Sequence, residues 1–154
     1  MPTALPFARS PQATQKRLSK AQLLPIPRAV ADNLALQAHL SLEALRAGSS
    51  DIEPAQHVAE VMLLARFLAE AGHGCFPDEA LRDADATMAS TFDRGDRSRV
   101  WTVDANDVEQ LAAIVSLYDH QLRRASLGAL TVASARLEQL KAGEPYRDLQ
   151  KRRA

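Results

Sequence analysis

Glu53, His57 and Glu60 stand at i, i+4 and i+7 in this 154-residue chain. That spacing places all three on one face of a helix, where two carboxylates and an imidazole could meet one metal ion. Carboxylate-bridged metals in helical bundles draw matching acids and Glu-x-x-His pairs from facing helices. The plausible partners, Asp119 and His120, do not form that pattern, so the trio reads as a solvated face with local ion pairing. His73 and Cys75 offer two ligands from one turn, short of the four that structural zinc takes. Cys75 is the single cysteine, which excludes an internal disulfide and multi-thiolate zinc. As a nucleophile it would need a nearby His and an electropositive setting, and a buried inert thiol is the expectation.

Arg94, Arg97 and Arg99 beside Trp101 could hold a phosphate while the indole stacks on a base. Asp93, Asp96 and Asp104 interleave with them, and Trp101 reads instead as a core plug anchoring the loop. Arg94-Gly95-Asp96 matches an adhesion tripeptide but reads as the stop of a helix at Gly95. There is no G-x-S-x-G, H-E-x-x-H, Walker-type G-x-x-x-x-G-K-[ST] or G-x-G-x-x-G after a strand. The expectation is a protein that is not an enzyme, with no catalytic residue, metal or cofactor.

Nineteen basic residues balance nineteen acids, but the balance is uneven along the chain. Residues 1–28 carry +5, residues 29–140 carry −8, and residues 141–154 carry +3. Phosphate binding needs clustered cations, which places any nucleic-acid contact on Arg9, Lys16, Arg17 and Lys20 at one end and on Lys151, Arg152 and Arg153 at the other. Basic ends also serve solubility or docking on a partner. No segment has the roughly 20 apolar residues of a membrane span, and no signal peptide is apparent, so a cytoplasmic location and no membrane contact are expected.

The elements that would position these side chains are helices. Ala and Leu outnumber Val and Ile by 49 to 11, a balance that favours helix over sheet. Residues 1–27 hold five of the eight prolines and read as an extended or disordered basic arm. Residues 28–142 read as an all-α antiparallel bundle of four to five helices, and residues 143–154 as a basic tail. Helix one, about residues 28–47, shows one stripe of Val30, Leu34, Ala38, Leu42 and Leu45 and a second of Leu36 and Leu40, which predicts burial on two sides. The second helix, capped by Ser50 or Asp51 and stopping at Gly72, is the candidate central helix. The third starts at Pro77 and presents Leu81, Ala84, Met88 and Phe92. Val100–Val103 is predicted to pack extended across the helices. Asp104 opens the fourth, with Val108, Leu111, Ala112, Val115, Tyr118, Leu122 and Ala125 inside and Glu109, Ala113, Ser116, His120 and Arg123 outside. A break near Ser126-Leu127-Gly128 precedes a fifth, carrying Leu130, Ala133, Leu137 and Leu140.

Residues 123–132 contain an Ala, a Gly and a following helix, as helix-turn-helix motifs do. Ala125 and Gly128 are three apart rather than about four, so a bent bundle helix is the reading. His39–Gly48, the second helix closing in Ala71-Gly72-His73-Gly74, and Tyr118-Asp119-His120-Gln121-Leu122 resemble short helical proteobacterial proteins of mobile elements known as Fis-type transcriptional regulators. The resemblance spans about residues 33–141 and implies a helical fold and a regulatory role; it carries over no catalytic or DNA-contacting residue. The expected function is that of a non-enzymatic bacterial accessory or regulatory protein working through a protein partner or a second copy. The alternative is a nucleic-acid-associated transcriptional regulator using the basic termini.

Overall fold

A computed structural model describes Lys20 and residues 22–142. Five helices follow one another: α1 (Arg28–Ala47), α2 (Glu53–Glu70), α3 (Asp78–Ser98), α4 (Ala105–Arg124) and α5 (Leu127–Lys141). The fold is an all-α bundle, without a strand among the described residues. α2 touches all four other helices, and nine of its side chains, among them Val58, Val61, Met62, Ala65 and Leu68, are buried. Its apolar arc is wide enough to bury more than one face, which is what puts it at the centre.

Cross-helix pairs give the directions. Asp32 and His39 of α1 meet Arg123 and Asp119 of α4, so the two helices run antiparallel. Glu60 and Glu70 of α2 meet Lys141 and Arg136 of α5, again antiparallel. The interior of α4 follows the predicted stripe and adds Ile114 and Gln121, while Glu109, Ala113, Ser116, His120 and Arg123 are all exposed.

Several local expectations are corrected. The second stripe of α1 is not buried: Leu36 and Leu40 stay 56% and 58% exposed, as does Val30 of the first at 44%, because among the described helices α1 packs chiefly on α2 and α4. Ala31 and Ala35 join Ala38, Leu42 and Leu45 of the predicted stripe in the contact face instead. α2 is capped by neither Ser50 nor Asp51. Its first residue follows Ile52, and Ser49 turns the chain by accepting from the Asp51 N–H at 3.1 Å. Pro77 precedes α3 rather than opening it. Asp104 stands at the head of α4 but makes no side-chain cap, since its carboxylate accepts from Arg94 at 3.1 Å through both oxygens. The break before α5 is real, with the Ser126 hydroxyl accepting from Ala129 N–H at 3.1 Å.

Gly95 does not stop α3, which runs on to Ser98 and ends with Arg99 in the left-handed conformation (φ 61°). The glycine is a packing position instead: a Cβ there would come within 2.5 Å of the Trp101 indole. Trp101 and Val103 are buried, and residue 101 pairs with Ser49 in a short antiparallel bridge, so the segment does lie extended across the helices. The end of the expected arm belongs to the body. Pro25 bridges to Ser126, Leu127 N–H donates to Leu24 C=O at 2.7 Å, and Ile26 is buried.

Candidate functional site

The α2–α3 turn and the outer side of α4 frame a concave surface. After Glu70 the chain reverses through Gly72 (φ 99°) and Gly74 (φ 82°), backbone values that L side chains rarely adopt. Gly74 also sits close over α4, where a Cβ would stand 2.9 Å from Leu117 Cδ1. The turn is tied down from two sides. Gln121, only 2% exposed, donates through Nε2 to Ala65 C=O at 2.9 Å and to His73 C=O at 2.8 Å. Arg66 of α2 reaches the far end, donating to Phe76 C=O and to the Asp78 carboxylate.

These contacts leave a cavity of about 450 Å³ lined by the turn glycines, His73, Leu117, His120, Gln121 and Arg124. No carboxylate lines it. Among the described residues, the His73 imidazole, the His120 imidazole and the Arg124 guanidinium have no hydrogen-bond or ion-pair partner. Gln121 Oε1 is a buried acceptor without a donor. On the other side of Leu117 lies a second concavity of about 240 Å³, walled by Cys75, Phe76, Pro77, Ala80, Ala113 and Ile114, with Gln110 at its edge. Cys75 is exposed on this second concavity rather than buried.

The neighbouring charges behave differently. Arg123 donates to Asp32 at 3.0 Å and Asp119 at 2.9 Å, and those bonds, that to Asp32 first, hold its pKa above the ordinary guanidinium value. Asp119 also meets His39 Nε2 at 3.3 Å. An imidazole beside a carboxylate is half of a general-base device, but the guanidinium on the same carboxylate makes the group a strut between α1 and α4. Tyr118, on the inner face of α4, has its phenol pushed up to about 12 by burial.

The side chains singled out from sequence are placed as follows. Glu53 is exposed and His57 half-buried, while Glu60 accepts from Lys141 Nζ at 2.7 Å. Neither Asp119 nor His120 joins them, and among the described residues no group of three His, Cys, Asp or Glu could hold a metal. Arg94 is engaged by Asp104 and by Thr102 C=O at 3.0 Å, and buried Trp101 offers no face to a base. Lys20 is exposed; Arg9, Lys16, Arg17, Lys151, Arg152 and Arg153 lie outside the described residues. Gln121 and Arg124 were not anticipated. Their signals were a glutamine three residues after Tyr118 on a buried stripe, and two glycines flanking His73.

No protein-family model, curated protein or solved structure matches the chain.

Proposed function

We propose that this chain is a non-enzymatic bacterial accessory or regulatory protein of the cytoplasm that acts by binding other proteins, and that the groove formed by the two concavities beside α4 is its contact surface. The observation that carries this reading is the pair of concavities: apolar walls in one, and in the other three basic or imidazole side chains without a partner among the described residues. Protein contacts favour apolar centres edged by polar groups, and here Cys75, Pro77 and Ala113 are exposed over the buried Phe76 and Ile114. Capture by the tagged full chain from its host, with and without nuclease, tests it. A protein retained after nuclease supports the reading; a monomer that retains nothing overturns it.

A second reading rests on the charge layout. Residues 22–142 hold 11 basic side chains against 17 acids, so association with nucleic acid would fall to the basic termini. It requires salt-sensitive binding that disappears when residues 1–19 and 144–154 are deleted.

A further inference from the structure

We infer that the groove beside α4 takes a peptide segment in which an acidic side chain lies next to apolar ones, the carboxylate seated among His73, His120 and Arg124 and the apolar side chains against Cys75, Pro77 and Ala113. This rests on the protein-contact reading and names the partner's chemistry. Charge complementarity is the first argument. In a body with an excess of acids, most arginines near a carboxylate are paired, as Arg46, Arg66, Arg94, Arg123 and Arg136 are. Arg82, Arg97, Arg99 and Arg124 have no such pair among the described residues, and of these Arg124 lines the cavity, with two imidazoles and no acid. A guanidinium presents a planar fork of donors that matches a carboxylate. The second argument is that the wall is preformed: Gln121 is fixed through its nitrogen to Ala65 C=O and His73 C=O, which holds the turn against α4.

The third argument is adjacency. Leu117 borders both the cationic and the apolar concavity, so a ligand filling one continues into the other. Both are open to solvent along one side. Small apolar ligands are held in sites that bury most of their surface, whereas an extended peptide can leave its other side in water. A free fatty acid therefore fits less well than a peptide.

Cys75, the single cysteine, gives a direct readout, because it is exposed on the groove wall. Its alkylation by iodoacetamide is followed on the full chain with an acetylated, amidated octapeptide carrying one Glu between Leu and Phe, and with its Gln counterpart. The Glu peptide is expected to slow alkylation at least fivefold at saturation, and the Gln peptide to need at least tenfold more for the same effect. Arg124→Gln and His120→Gln, both at exposed positions, should erase that preference while leaving the circular dichroism spectrum unchanged. Ala113→Arg, also exposed, should weaken both peptides alike. Equal protection by the two peptides, no protection by either, a Glu preference that survives Arg124→Gln, or equal protection by decanoate would each overturn the proposal. A protein partner still captured by the Arg124→Gln chain would leave the protein-contact reading standing while removing this seat.

Discussion

Gly95 and Trp101 are packed so closely that a single methyl group on the glycine would come within 2.5 Å of three indole atoms, Cδ1, Nε1 and Cε2. The contact lies inside α3, where a glycine is otherwise unfavourable. It lets the indole press against the helix backbone, and the buried indole in turn fixes the chain segment that pairs with Ser49.

Gly95→Ala therefore sets two effects of opposite sign against each other. Helix propensity alone would make alanine better by about 1 kcal/mol. Overpacking a filled site costs about 1–3 kcal/mol or more, and here the neighbour is a rigid ring rather than a flexible chain end. A net destabilisation is expected, read as a lower urea midpoint with an unchanged slope. A variant as stable as the parent would mean that Trp101 can move aside.

Gln121 ties α4 to two carbonyls, Ala65 C=O inside α2 and His73 C=O in the turn. Gln121→Leu keeps the volume and removes both donors; Ala65 C=O retains its bond within α2, so the cost is roughly 1–3 kcal/mol for the His73 carbonyl left without its donor. Hydrogen exchange should show the loss concentrated at residues 72–76, because the turn loses its tie to α4. Destabilisation spread evenly over all helices would contradict a positioning role for this side chain.

The bundle was legible because the apolar spacing of α2 and α4 coincides with their buried faces, and because α1, with Gly48 just beyond it, ends where the glycine predicts. Spacing failed where burial depends on neighbours the pattern cannot see. Leu36 and Leu40 repeat as a core stripe would, yet no helix covers them. Ala31 and Ala35, weak signals by size and outside the predicted stripe, are buried beside its Ala38, Leu42 and Leu45. Gly95 looked like a stop because glycines commonly end helices, and only the position of an indole six residues on shows its other use. The groove was illegible for a related reason: His73 and Arg124 are 51 positions apart in the chain, and the turn and helix that carry them meet only in the fold.

Glu70 connects α2 to α5 and gives an acid-side prediction. Its carboxylate accepts from Arg136 at 2.8 Å and from Arg66 at 3.3 Å, and these bonds, that to Arg136 foremost, hold its pKa below the ordinary carboxylate value. A lowered pKa in the folded state contributes stability that is present above the unfolded value and is lost as pH falls through the folded one. Because the side chain is 44% exposed, solvent screening limits the gain to under about 1 kcal/mol. The difference in urea midpoint between the parent and Glu70→Gln should be small at pH 7 and vanish near pH 2–3. A difference that grows toward acid would have the wrong sign for this ion pair.

Tyr118 gives the alkaline counterpart, and a larger one. Its phenol is pushed up to about 12 by burial, against 10 for an exposed tyrosine, and the residue is 2% exposed. Here the neutral form is the one the fold favours, so the contribution is complete below pH 10. Between pH 10 and 12 the unfolded chain releases the proton and the folded chain keeps it, and stability falls with rising pH. Two pH units at 1.36 kcal/mol each give a loss of about 2–3 kcal/mol. Lysines titrate in the same window, so the measurement is the difference between the parent and Tyr118→Phe, followed by urea unfolding from pH 8 to 11.5. That difference should shift against the parent as pH rises past 10. In parallel, absorbance at 295 nm should show a phenolate step near 12 in the parent that is missing from Tyr118→Phe. A Tyr118 step near 10, read as the difference between parent and variant, would show that the phenol reaches water from the folded state.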